Sequence, residues 1–376
     1  MTVPASFDAI RPFQSEELPL AYDRLERDPQ FRAVVARIRP DIPFEAVMQQ
    51  MRGCTTPLSF QKTFCYPFLH QLMRQASTGF TLDASAVDLS RRYTFVSNHR
   101  DIVLDSALLD VLLVDAGCQT TCEIAIGDNL FAAPWIKDLA RINKAFIVER
   151  SLSPRQMMDA SHRLAEYIHY VVTVKHDNVW IAQREGRAKD SDDRTQPSVL
   201  KMMAMGGTGT VVQRLKQLHI VPLSISYEYD PCDFLKASEF QLRRDVDGWH
   251  KTKADDVESM RTGILGYKGR VHYHMAPCID DWLDTLPQDM PRNELFLTVA
   301  AHIDRQIHRH YRLYASNRVA SGAETTEEER AAFRSYVDRQ LSRIQLPAGL
   351  SPDEPFLRER LLTMYANPLR NHLASL

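Results

Sequence analysis

The chain has 376 residues, material for roughly two and a half domains or one large core with additions. Its 46 Lys and Arg against 48 Asp and Glu leave a formal charge of −2, which excludes the basic excess of a protein built around a nucleic-acid backbone. Hydrophobic residues at 44% and aromatics at 9% supply a buried core and exclude an acidic disordered chain.

The opening, MTVPASFDAIRPFQSEE, brings acids early and has no apolar run, so no secretory signal is expected and the protein is placed in the cytoplasm. The longest uncharged stretch, Met202–Gln213, is shorter than the roughly 20 apolar residues of a spanning helix. Residues 15–76 carry apolar positions at helical spacing (Leu20, Tyr22, Leu25, then Phe31, Val34, Val35, Ile38), punctuated by Pro29, Pro40, Pro43 and Pro57. The last segment, Ser59–Ala76, is aromatic and aliphatic around much of its circumference. It reads as a packed core helix or, alternatively, as an amphipathic element in a membrane interface.

From Gly79 the period changes. β-rich runs at Tyr93–Ser97, Cys122–Ile126, Ala145–Val148, Val179–Ala182, His219–Ile225 and Arg270–Met275 alternate with helical patterns at Asp101–Asp115, Pro154–Val174 and Ser198–Leu218. This alternation predicts an α/β fold, a mostly parallel sheet flanked by helices, with ligands at the carboxyl ends of the strands. Helical patterns return at Glu294–Tyr314, Thr326–Ile344 and Glu354–Ser375. The expected division is an N-terminal helical region at 1–77, a catalytic α/β domain at 78–285 and a C-terminal helical region at 286–376. The cysteines (Cys54, Cys65, Cys118, Cys122, Cys232, Cys278) lack metal-ligand spacing and read as reduced, mostly buried thiols.

Chemistry concentrates where strands end. After YTFVS comes Asn98-His99-Arg100-Asp101-Ile102-Val103-Leu104-Asp105, opening an apolar helix. A histidine there can take a proton from a hydroxyl while a carboxylate fixes its tautomer. Asp101 and Asp105 compete for that role; Asp101 stands where an N-cap is wanted, leaving Asp105 to orient the imidazole. Asn143-Lys144-Ala145-Phe146-Ile147-Val148-Glu149-Arg150 and Arg184-Glu185-Gly186-Arg187 each follow or enclose a strand, and their cations suit a phosphate clamp. The family resemblance set out below implies that these positions form an acceptor site of Arg150, Glu185, Gly186, Arg187 and Lys144, with Lys189 as the alternative to Arg187.

Other features take plainer readings. Gly206-Gly207-Thr208-Gly209-Thr210 lacks the Lys-Ser/Thr ending of a P-loop and reads as a turn between helices. His272 and His274 share a strand face without a third ligand nearby and read as a packed pair, so no metal site is expected. Lys189–Arg194 reads as a solvated loop or, alternatively, a mobile flap over the acceptor. There is no GxSxG elbow and no cysteine beside a histidine in sequence, which disfavours an acyl-enzyme.

In this order the blocks resemble the glycerophosphate acyltransferase superfamily, as a divergent bacterial member, over about residues 78–280. Asn98-His99 with Asp105 is similar to its catalytic His-Asp block, residues 126–150 to its second, Glu185-Gly186-Arg187 to its Glu-Gly-x-Arg block, and Val221-Pro222-Leu223 to its proline-containing fourth. Two spacings depart: five residues separate His99 from Asp105 where four are usual, and Arg187 follows Gly186 directly where one residue normally intervenes. The resemblance implies an O-acyltransferase of phospholipid biosynthesis, moving a fatty acyl group from acyl-CoA or acyl-carrier protein to glycerol 3-phosphate or lysophosphatidic acid. It implies no cofactor beyond the donor thioester. Partners would be donor, glycerolipid acceptor and the inner membrane face, met peripherally through residues 57–76, with no nucleic acid. Alternatives are acylation of another hydroxyl lipid, such as an amino-acid lipid, and a silent lipid-binding protein of the same fold.

Overall fold

Strand alternation organises the molecule. The computed structural model describes residues 3–150 and 152–376. Seven strands, β1 (Gly79–Asp83), β2 (Thr94–Ser97), β3 (Cys122–Gly127), β4 (Ala145–Val148), β5 (Asn178–Ala182), β6 (Ile220–Tyr227) and β7 (Arg270–Met275), form one sheet in the order β1-β7-β6-β2-β5-β3-β4. From β6 to β4 all neighbours are parallel; β7 runs antiparallel to β6, and β1 pairs parallel with β7. The expected mostly parallel α/β sheet is therefore present, with a reversed pair at one edge.

Successive residues of a strand face opposite sides. Val96, Phe146, Val179, Ile181 and Ile220 meet the helices Pro154–Thr173 and Arg292–Arg309 on one face. Phe95, Ile124, Trp180, Val221 and Leu223 meet Leu104–Asp115 and Tyr66–Ala76 on the other. The first of these cores also takes in Phe7 and Ile10, so one hydrophobic cluster crosses both the 77/78 and 285/286 boundaries. Helix Leu104–Asp115 is buried continuously from Leu104 to Leu113, as a helix sandwiched between sheet and preface must be.

Several elements went unanticipated, the nine-residue helix Pro134–Ile142 between β3 and β4 among them. β1 is short and half-exposed, and only its pairing with β7 makes it a strand. Helices Asp233–Asp245 and Lys253–Leu265 lie between β6 and β7 and bury polar side chains: Asp233, Lys236, Ser238, Glu239 and Gln241 in the first, Ser259 and Thr262 in the second. An apolar-periodicity search cannot register such faces. The single helical pattern Ser198–Leu218 divides into Pro197–Met203 and Val211–Lys216 around the glycine turn, where Gly207 and Gly209 hold φ of 73° and 93°.

The segment Ser59–Ala76 is a π-helical stretch, Phe60–Cys65, continued by Tyr66–Ala76. Phe60 packs in the N-terminal helical core, while Leu69, Leu72 and Met73 pack under the sheet. Residues 57–76 contribute none of the exposed large apolar side chains, as the packed-helix reading expects. All six cysteines are free thiols.

Candidate active site

β2 delivers His99 to the carboxyl edge of the sheet. Asn98, fully buried, locks the strand end to β6 by donating from Nδ2 to the Ile225 carbonyl at 2.9 Å and accepting the Ile225 N–H at 2.8 Å. The edge of the His99 ring meets Trp180 of β5 at 5.5 Å, and the Trp180 indole N–H donates to Ser97 at 3.0 Å.

Asp101 and Asp105 divide their tasks. Asp101 Oδ1 accepts the N–H groups of Val103 and Leu104 at 2.9 and 2.8 Å, capping the helix. Asp105 Oδ2 lies 2.7 Å from His99 Nδ1 and also accepts the N–H groups of Arg100 at 2.6 Å and Asp101 at 3.0 Å. Three donors on one oxygen hold the carboxylate toward the imidazole, so the five-residue spacing still closes the pair. Asp105 engages Nδ1 of His99, which leaves Nε2 as the ring nitrogen outside that pairing. Tyr273 of β7 donates to the Asp105 carbonyl at 2.9 Å. Gly263 admits the cap: a Cβ there would stand 2.0 Å from Asp101 Oδ2. Burial, with Asp105 alongside, pushes the Asp101 carboxyl up.

The second and third blocks meet directly. Arg150 Nη1 pairs with Glu185 Oε1 at 3.0 Å, and its guanidinium lies over Gly127, where a Cβ would come within 2.9 Å of Nε. The backbone N–H of Arg150 donates to Asp128 at 3.3 Å. Gly186 turns the chain at φ 67° and sends Arg187 inward toward Cys232, Asp230 and Asp101. Burial works against the Arg187 charge, but Cys232 and these carboxylates outweigh it and hold its pKa up. Arg187 Nη1 is buried with no hydrogen-bond partner, an unspent donor beside the capping aspartate.

Two sequence-based expectations need correction. Lys144 precedes β4 and so sits at the amino edge, opposite His99. Its ammonium is buried against Asp177 Oδ2 at 2.8 Å and the Thr121 carbonyl at 3.3 Å, which makes it a structural cation and removes it from the acceptor site. Residues 189–194 are neither a solvated loop nor a free flap. Ser191 and Asp193 are buried, Asp193 pairs with Arg100 Nη2 at 2.7 Å and takes the Tyr311 hydroxyl at 2.6 Å, and Asn367 and Asn371 of the last helix hold Asp190 and Asp192. The C-terminal helices thus fix the segment after Glu185-Gly186-Arg187. Lys189 is spent on Glu239 at 2.6 Å. His272 bonds Thr81 at 2.8 Å, and His274 meets Asp83 at 3.2 Å and stacks on His310 at 4.1 Å, as a packed pair.

Sequence reasoning missed Arg100, Trp180 and Tyr273. Arg100 follows His99 and was visible; the other two touch the site only through the sheet.

Residues 82–226 match the family model described as Acyltransferase, which takes in His99, Asp105, Arg150, the Glu185-Gly186-Arg187 block and Val221-Pro222-Leu223. Residues 82–226 thus carry an acyltransferase domain. Among solved structures, the 1-acyl-sn-glycerophosphate (LPA) acyltransferase PlsC from Thermotoga maritima aligns with 78% of this chain and 96% of its own, at 12% identity and a TM-score of 0.40. No curated protein matches the chain. At this site the thiol beside Arg187, Cys232, is pushed up to about 12 by burial and Asp230, so it is protonated at neutral pH and a poor nucleophile.

Proposed function

We propose that this acyltransferase moves a fatty acyl group from acyl-CoA or acyl-carrier protein to a hydroxyl of glycerol 3-phosphate or lysophosphatidic acid, in phospholipid synthesis. The carrying observation is the 2.7 Å contact between His99 Nδ1 and Asp105, which leaves Nε2 as the base at the strand edge shared by Arg150 and Arg187. His99 Nε2 takes the proton of the acceptor hydroxyl as its oxygen attacks the thioester carbonyl; the tetrahedral intermediate collapses, the C–S bond breaks, and the imidazolium returns the proton to the departing thiolate. Asp105 stabilises the imidazolium between those steps. Arg150 and Arg187 bind the acceptor phosphate, Arg187 through its unpartnered Nη1. Each step is carried by side chains and the donor thioester, so the mechanism calls on no further cofactor.

Among the described residues no helix is long and apolar enough to cross a membrane. We place the enzyme peripherally at the cytoplasmic bilayer face, where its lipid product belongs; co-sedimentation with anionic vesicles tests this, and protein left entirely in the supernatant rejects it. The function is tested by thiol release from an acyl-thioester donor with a panel of acceptors. Turnover on glycerol 3-phosphate or lysophosphatidate supports the reading. Turnover only on a carboxylate-bearing hydroxyl lipid, or binding without turnover, overturns it.

A further inference from the structure

A second cluster of reactive side chains occupies the opposite edge of the sheet. His219 immediately precedes β6. β7 runs antiparallel to β6, so the turn after it returns to the same edge, where the Ala276 N–H donates to the Pro222 carbonyl at 3.0 Å and the Ile279 N–H to the Ile220 carbonyl at 3.0 Å. These bonds bring Cys278 and Asp280 to His219. An imidazole nitrogen, a thiol sulfur and a carboxylate oxygen then lie within 4.8 Å of one another.

Two details distinguish the trio from an ordinary ion pair. His219 Nδ1 and Asp280 Oδ2 are 2.5 Å apart, yet Asp280 Oδ1 is buried and makes no hydrogen bond. Among the described residues this is the one group of three or more His, Cys, Asp or Glu whose ligand atoms gather so closely. His219 and Asp280 also line an open surface pocket together with Thr208, Lys216, Gln217 and Asp284. Arg91, which is exposed, stands with Nη2 3.4 Å from His219 Nδ1 and its guanidinium over the Tyr93 ring at 5.8 Å, and it must move off His219 for an ion to bind.

We propose that His219, Cys278 and Asp280 form a binding site for a borderline-soft divalent ion, zinc foremost, with a fourth position left to water. Zinc takes nitrogen, sulfur and oxygen at about 2.0–2.3 Å in tetrahedral array, which sets donors roughly 3.3–3.8 Å apart, so small side-chain rotations that open the 2.5 Å His219–Asp280 contact and draw in Cys278 fit the cluster to the ion. The sulfur and imidazole select against magnesium and calcium, which take oxygen ligands. A thiol ligates as its thiolate, so the metal binds by displacing the Cys278 proton, forming a metal–sulfur bond and releasing H⁺ to solvent. The ion ties the start of β6 to the turn after β7. It lies across the sheet from His99 and takes no part in acyl transfer.

The test uses the full-length protein, stripped with chelator and titrated with Co²⁺ as the spectroscopic probe, followed by Zn²⁺. The expected result is one equivalent bound, a thiolate-to-cobalt charge-transfer absorption, at least one proton released per ion, and a raised Tm. Cys278→Ser removes the charge-transfer band, Asp280→Asn weakens binding at least tenfold, and His99→Ala changes neither. Circular dichroism confirms that each variant is folded, and zinc content of the unstripped wild-type protein gives a reading independent of any variant. No charge-transfer band in the wild type, or a band surviving in folded Cys278→Ser, overturns the proposal.

Discussion

Asp105→Asn isolates the charge of the pair from its geometry. All three hydrogen bonds to Asp105 converge on Oδ2, and an asparagine can place its carbonyl oxygen there, still accepting from His99 Nδ1 and from the Arg100 and Asp101 N–H groups. The imidazole tautomer and the helix start then survive, and what is lost is the negative charge facing the imidazolium that forms during transfer. Unit charges about 4 Å apart at an effective dielectric of about 20 interact by about 4 kcal/mol, or roughly three decades in rate. The expected outcome is a fall of about 10³ in kcat with acceptor KM changed less than about threefold and Tm within a few degrees of wild type. Asp105→Ala loses the charge and also orphans two buried N–H groups, each costing about 1–3 kcal/mol, so it is at least as inactive and clearly less stable. Initial rates of thiol release over a range of acceptor concentrations, with thermal melts of all three proteins, measure both effects. A folded Asp105→Asn enzyme keeping more than about a tenth of wild-type kcat would refute the imidazolium argument.

Three further outcomes are expected. Arg187→Ala removes the unpartnered buried donor and raises acceptor KM at least tenfold, more than Arg150→Ala, whose guanidinium is already shared with Glu185; equal or smaller KM effects at Arg187 argue against its role. Lys144→Met leaves Asp177 with the more distant Lys175 at 3.8 Å and destabilises the fold by about 3 kcal/mol in denaturant melts while acceptor KM stays constant; a KM shift would return Lys144 to the acceptor site. Asp233 is fully buried, accepts the hydroxyls of Tyr336 and Tyr365, and is pushed up to about 7 by burial despite them. The folded chain therefore holds this proton to higher pH than the unfolded chain, and the associated stability is complete below about pH 4 and lost as pH rises through about 7. Asp233→Asn should flatten that part of the Tm profile, and an unchanged slope would count against it.

The α/β class, six of the seven strands and the placement of His99, Asp105, Arg150 and Glu185-Gly186-Arg187 after strand ends were legible because each depends on local pattern: an apolar run, a cap, a glycine before an arginine. Lys144 was misread for a related reason. Sequence proximity to Arg150 hid the fact that a four-residue strand separates opposite edges of the sheet. The polar-faced helices Asp233–Asp245 and Lys253–Leu265 were invisible because their buried sides satisfy hydrogen bonds instead of excluding water. Residues 189–194 looked like a free loop because Asp and Ser favour solvent unless partners from the C-terminal helices, more than a hundred residues away, satisfy them. Composition and spacing alone thus determined the chemistry available at the strand ends. Only the tertiary structure decided which charges face the site, which are spent on long-range partners, and that His219, Cys278 and Asp280 meet at all, because antiparallel β7 carries residues about sixty positions apart to one edge.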